Sequence, residues 1–497
     1  MKKTIIIGLW IALVLPSFHT PVLAQAAPDP LGYTIATPRP INPAAGTTNP
    51  SAQATQSQNP YLGSVPSGKA TNEVLQLSLR EAIERGLRYN LGLIESSHSS
   101  ADVRTQRLRA LSALLPDVSV KGEQVVENLS FKEIGLKLPP IPGFRGIPDT
   151  TGLFGFQEAR VNLTQSIYSA ELRNQYQAQK KAEQASALST KDARDVVVYA
   201  VGIAYLQVVA SAARMETAKA QLASAQELDQ QTADRVKSEV SPEIDSIRAR
   251  VQRQTAEQRL TNATNDFEKD KLTLVRIIGL PLEQKFALAD PAEYRPMPAM
   301  TEQMALAQAL ESRADLQSAE ARVRAAEYSV RAQKSQRLPA FSLQANYGGA
   351  GVNVGGFSQV YTVAGSVSMP IYTGGRIQAD IDQAQSNLTR RQAEYEDLKG
   401  RIAYDVRVAW LDVQASETSV KVAQSNRELA ARALVQSQDR YRNGVTNYLE
   451  VLQAQEAVTA AGENYIQGLY SLNTAKLALA RAMGAAERRF ADFVGGN

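Results

Sequence analysis

The chain has 497 residues, with 54 Lys and Arg facing 50 Asp and Glu, no cysteine and two histidines. That inventory excludes disulfides, thiolate nucleophiles and clustered-histidine metal sites. The near balance of charge gives no electrostatic footprint for nucleic acid.

Residues 1–26 have the three-part layout of a secretory signal peptide. MKK is a short basic start, TIIIGLWIALVL is an apolar run, and small residues ending at Ala24 or Ala26 offer a cleavage site. An uncleaved anchor is the other reading, which the short apolar run disfavours. His19 leaves with the peptide, so His98 is the one histidine expected in the exported chain, and no N-terminal cysteine is there to take a lipid. Residues 27–73 are rich in Pro, Ser, Thr, Gln and Asn. They bury too little apolar surface to offset chain entropy and are expected to form a disordered leader.

Beyond the leader the sequence repeats itself. EAIERGLRYNLGL (81–93) matches MALAQALESRADL (304–316) at an offset of 223, as do Leu115-Pro116 and Leu338-Pro339. Ile167-Tyr168 matches Ile371-Tyr372 at 204, and YAVGIAYLQVVAS (199–211) matches YDVRVAWLDVQAS (404–416) at 205 with seven of thirteen residues identical. The register holds through Ile278-Gly279 and Met483-Gly484. The chain is therefore a tandem duplication: a first repeat over 74–280, a connector over 281–303, a second repeat over 304–485 and a tail over 486–497.

Each repeat has one internal order. A helix-like segment ends at the Leu-Pro landmark, and two strand-like runs follow around a Gly- or Pro-rich turn. In the first repeat these are VSVKGEQVVENLSF and FQEARVNLTQSIY, flanking LPPIPGFRGIP; in the second, FSLQANYGG and FSQVYTVAGSVSMPIY. In the last run Val363, Gly365, Val367, Met369 and Ile371 alternate with Thr362, Ala364, Ser366, Ser368 and Pro370, so one face is apolar.

Long helices come next. Proline is absent from 149 to 241 and after Pro370, leaving only Gly202 and Gly400 to interrupt runs of about Ala170–Val236 and Arg376–Arg442. At 1.5 Å per residue each reaches roughly 100 Å. Tyr404, Val408, Leu411, Ala415, Thr418, Val422, Ser425 and Leu429 form a heptad seam, so the helix packs as in a coiled coil. Each run ends at a break, RVKSEVSPEIDSIRAR (235–250) or RYRNGVTNYLEVLQAQ (440–455), after which a helix of about 35 residues runs back. Both breaks are followed by a carboxylate, Asp245 or Glu450.

The apolar run 196–213 has the length of a membrane helix, but its duplicate holds Asp405, Arg407 and Asp412, too costly in lipid. Any membrane contact must then come from strands, which lipid tolerates only in a closed barrel. Four strands per chain are too few to close around a channel, so copies must combine.

LSLREAIERGLRYNLGL, LLPDVSV, YRNGVTNYLEVLQAQ and the closing ALARAMG, in this order within a duplicated chain, resemble the TolC family of bacterial outer-membrane channel proteins. The resemblance covers residues 78–484. It implies a mixed α/β membrane protein: a homotrimer whose twelve strands form one β-barrel in outer-membrane lipid, continued by a coiled-coil α-barrel across the periplasm. The turns at 131–158 and 347–358 would face outside the cell, and the connector and tail would wrap the tube's waist. The protein would be the passive exit duct of a tripartite efflux or type I secretion system, fed by an inner-membrane RND or ABC pump through a periplasmic adaptor. No enzyme activity and no cofactor is implied.

Under the same resemblance the two breaks are turns at the periplasmic tip. Asp245 and Glu450 would ring the lumen and favour cations, with Tyr441, Thr446, Gln453, Arg440 and Arg442 as gate contacts. Glu239, Val240, Ser241, Pro242, Gly444 and Val445 would form the adaptor-docking turns. Glu239 stands where the second repeat has Gly444, which puts the equivalence of the two docking grooves in question. Residue by residue, other readings stand beside these. The two carboxylates suit a solvated first helical turn, the arginines suit ordinary surface charge, YGGAGVNVGG suits a β-turn rather than a nucleotide loop, and His98 has no visible triad. An exported coiled-coil scaffold without a pore is the rival class, and it leaves the amphipathic strands unexplained.

Overall fold

In a computed structural model of the chain, the described residues are 59–128, 130, 150, 152–289, 297, 300–352 and 356–494. The expected signal peptide, the expected leader to residue 58, most of the 131–158 turn, residues 290–296 of the connector and the last three residues lie outside them.

A short strand, β1 (Leu75–Leu77), leads into α1 (Leu79–Tyr89), α2 (Leu91–Ser112), β2 (Asp117–Glu127), β3 (Phe154–Tyr168), α3 (Ala170–Lys237) and α4 (Glu243–Ile278). After β4 (Phe286–Leu288), the second repeat gives α5 (Glu302–Ser312), α6 (Ala314–Ser335), β5 (Ala340–Gly351), β6 (Ser358–Ser368), α7 (Arg376–Arg442) and α8 (Tyr448–Ala482), then α9 (Ala486–Val494). Helices α1 and α5 start and stop 223 positions apart, as do α2 and α6, while α4 and α8 start 205 apart. The duplication read in the sequence is thus a duplication of structure.

Local chemistry sets the boundaries. Ser78 and Glu81 form a reciprocal capping box at the start of α1, and Ser169 and Asn447 cap α3 and α8. Gly279 ends α4 with a left-handed backbone, φ 73°. Gly202 does not interrupt α3. It permits close approach, because a Cβ there would lie 2.3 Å from a Leu477 methyl of α8.

The four longer strands form one antiparallel sheet, ordered β2-β3-β5-β6; β1 and β4 pair separately in parallel. Register assigns its two faces. Val118 faces Leu163 and Val120 faces Val161; across β5 and β6 the same face continues through Ala345, Tyr347, Tyr361 and Val363. The other face carries Lys121, Glu123, Glu158, Arg160, Asn162, Gln344, Asn346 and Thr362. The apolar face is uncovered: Val120 is 78% exposed, Tyr361 76% and Val363 70%.

The main apolar core divides by repeat. One cluster joins α1, α3 and α4 through Ile83, Val197, Val201, Tyr205 and Ile278; its counterpart joins α5, α7 and α8 through Ile402, Val406, Leu472 and Met483. The run 196–213 lies within α3, where Val197, Val198, Val201 and Val208 are fully buried by protein, as its charged duplicate required.

Two expectations are corrected. Residues 59–73 of the leader are ordered: Tyr61 lies against Gly92, the Ser67 N–H donates to the Gly279 carbonyl (3.0 Å) and Thr71 bonds Gln284. An aromatic ring and a fixed set of backbone partners supply what composition alone did not reveal. The heptad seam of α7 also faces away from its own chain, with Tyr404, Leu411, Val422 and Leu429 all exposed. A second heptad row, Ile402, Val406, Ala409, Val413, Val420 and Ala423, is the one buried inside the chain.

Candidate functional site

At the far end of the long helices, the two breaks fold into the same turn. Helix α3 ends with the Glu239 N–H on the Val236 carbonyl (3.0 Å) and the Val240 N–H on the Arg235 carbonyl (2.9 Å). Helix α7 ends with Gly444 on Tyr441 (3.1 Å) and Val445 on Arg440 (2.9 Å). This is the Schellman pattern, which needs a left-handed residue just past the helix cap. Gly444 supplies φ 70°, and Glu239 adopts φ 59°, alone among described non-glycine residues. Glutamate thus takes the same left-handed backbone here that glycine takes in the second repeat. The two turns differ in the exposed side chain each presents.

A small aromatic core holds the turns together. Tyr441 and Tyr448 meet edge to face, centroids 6.1 Å apart, packed with Leu228, Ala249 and Val451. Burial pushes the Tyr448 phenol up to about 12. Arg235 ties the first turn to the second: its guanidinium lies 4.7 Å over the Tyr441 ring, donates to the Tyr441 carbonyl (3.3 Å) and donates to Ser241 (3.3 Å). The sequence alone gives Arg235 no role; its alignment with Arg440 at the 205 offset is the available signal.

The predicted carboxylates diverge. Asp245 is buried, with Arg248 3.7 Å away. Glu450 is half-exposed, accepts the Thr446 hydroxyl and pairs with Arg440 at 3.4 Å. Arg442 lies 3.8 Å from Asp439 on the surface, and Gln453 is exposed. Val240 and Val445, at the apices of the turns, are 63% and 66% exposed. Pro242 caps α4 without a side-chain bond. The structure thus brings Arg440, Thr446 and Glu450 together, joins Tyr441 to the neighbouring turn, and gives Asp245 and Glu450 different partners.

Higher up, at the waist, a charge network unforeseen in the sequence joins distant segments. Arg313, between α5 and α6, donates to Asp315 (2.6 Å) and to Asp405 of α7 (3.4 Å). Arg481 of α8 donates to Asp192 of α3 (2.6 Å), Arg194 holds Glu487 of α9 (2.9 Å), and the Glu487 N–H donates to Asp195 (2.8 Å). Burial raises the Asp192 and Asp195 carboxyls, against the pull of Arg481 on the first and of the Glu487 N–H on the second. Burial also opposes Asp315, but there the Arg313 bond and charge win and hold it low.

Paired helices of this length beneath a sheet with one bare apolar face share the architecture of outer-membrane channel protomers. Residues 305–485 match the family described as Outer membrane efflux protein. The chain is 28% identical to the outer membrane efflux protein BepC of Brucella suis over 255 residues, half of this chain and 54% of that one. It is 24% identical to the toluene efflux pump outer membrane protein TtgF of Pseudomonas putida, over 82% of this chain and 83% of that one. Among solved structures, the Campylobacter jejuni CmeC outer membrane channel superposes with a TM-score of 0.70, at 17% identity over 90% of this chain and 94% of that one. VceC of Vibrio cholerae gives 0.69, at 17% identity over 82% and 96%. The second repeat thus carries the signature of this family, and the chain has the fold of these outer-membrane channels.

Proposed function

We propose that three copies of this chain close into one duct, through which an inner-membrane pump and a periplasmic adaptor pass solutes out of the cell. The observation that carries the reading is that the sheet ends in two open edges. Among the described residues, strands β2 and β6 each have one unpaired side, and α7 presents an exposed heptad row. Open strand edges cannot stand in lipid, and a heptad row calls for a partner helix. Pairing β6 of one copy with β2 of the next gives twelve strands with the apolar face outward and the polar face lining water. A scaffold without a pore has no use for that two-faced sheet.

In this arrangement the turns at 239–242 and 444–445 are the ends of the tube and the docking points for the adaptor. Gly444, which projects no side chain, accommodates a close backbone more readily than Glu239. The Arg440–Thr446–Glu450 cluster is a latch within one turn, and Arg235 on Tyr441 is a latch between turns. Efflux or type I secretion partners both suit this geometry. The test is extraction in detergent followed by planar-bilayer recording. A heat-sensitive trimer that conducts ions is expected; a soluble monomer without conductance overturns the duct.

A further inference from the structure

The polar face of the sheet is not evenly polar. Its charge is confined to the β2–β3 hairpin, where Lys121 lies directly opposite Arg160 and, one rung outward, Glu123 lies directly opposite Glu158. Along the strands the signs alternate, with Lys121 paired to Glu123 and Arg160 to Glu158 at 3.0 Å. The same rungs cross β5 and β6 through Gly348 and Val360, and through Ala350 and Ser358, none of them charged. Asp117 and Glu127 mark the two ends of β2 on this face.

Like charges facing each other across an antiparallel pair are destabilising, and opposite charges stabilise. Exchanging Arg160 with Glu158 would convert both unfavourable cross-strand pairs into favourable ones. The present order instead gathers each sign into its own rung, which sheet stability does not explain.

We propose that these rungs form two stacked bands of opposite sign in the lumen of the β-barrel, and that they set ion selectivity at the outer end of the duct, apart from the tip. The inference rests on the duct reading above. Three copies give one band of six cations from Lys121 and Arg160, and one of six carboxylates from Glu123 and Glu158. With twelve strands tilted near 40°, the wall lies about 12 Å from the axis. Side chains extending about 6 Å inward bring their charges within one Debye length of the centre at about 0.1 M salt. In the intact duct the bands offset one another. Neutralising one exposes the other.

The test is reversal potential under a KCl gradient at low ionic strength, with the intact duct compared to K121Q/R160Q and to E123Q/E158Q. The first double variant is expected to raise the potassium-to-chloride permeability ratio by about twofold or more, and the second to lower it comparably, both shifts fading near 1 M salt. Should either pair fail to form the heat-sensitive trimer, K121Q and E123Q alone, at the two more exposed positions, are expected to shift the ratio in the same opposite directions. Conducting trimers whose ratio is unchanged in every variant overturn the bands and leave the duct standing. Absence of conductance in the unaltered protein overturns the duct itself.

Discussion

Glu239 offers a direct measurement of what a left-handed residue costs at the tip. Its turn and the Gly444 turn share every backbone hydrogen bond, and a Cβ at 444 would meet nothing within 4 Å. The difference between the sites is therefore conformational. A side chain at positive φ costs about 1–2 kcal/mol, and glycine gives back about 0.5–1 kcal/mol in chain entropy. Glu239→Gly should then stabilise its turn by about 0.5–1 kcal/mol, a roughly two- to five-fold drop in the local opening constant. Gly444→Glu should loosen its turn by a similar factor. Hydrogen exchange at the Val240 and Val445 amides, corrected for neighbouring side chains, reads both openings. Unchanged protection in both variants, or weaker protection at Val240 in Glu239→Gly, would refute the argument by showing that the glutamate makes a compensating contact.

Gly202→Ala drives a methyl into Leu477 and should destabilise the α3–α8 contact by about 1–3 kcal/mol, seen as a lower thermal unfolding midpoint of the helices. Arg313→Ala strands Asp315 and Asp405 in a mostly buried site and should cost about 3 kcal/mol or more, read as faster exchange in α5 and α6. Because the folded Asp192 and Asp195 carboxyls lie above their ordinary value, they hold protons more tightly folded than unfolded. Their contribution is full below that value and is lost as pH rises through the folded range. Asp195→Asn, which keeps an acceptor for the Glu487 N–H, should flatten this part of the pH dependence of α9 exchange. Leu411→Glu, on the exposed row of α7, should leave helix content intact while abolishing the trimer band on unheated gels.

Most of the architecture was legible because duplication lets each half check the other. The α7 boundaries, the four strands and the non-membrane nature of 196–213 all followed from periodicity, proline placement and charges in the duplicate. What stayed hidden depends on contacts between distant segments. No local pattern assigns Arg313 to Asp405, or Arg194 to Glu487, since the partners lie far apart in sequence. The ordering of 59–73 was masked by a composition typical of linkers; Tyr61 against Gly92 and the bonds of Ser67 and Thr71 to distant partners fix it. At the tip, the equal spacing of Asp245 and Glu450 suggested equal roles. Arg248 and the aromatic core bury the first, while Thr446 and Arg440 hold the second near the surface.

The outward row on α7 has a genetic corollary. In the proposed three-copy duct, a protomer whose one flank is sound and whose other flank is ruined still joins a growing ring, then prevents it from closing. If such an allele and the intact one are made in equal amounts and mix at random, only about one assembly in eight contains three good copies. Damage confined to that helix face should therefore behave as dominant, whereas damage that stops the chain folding should be recessive.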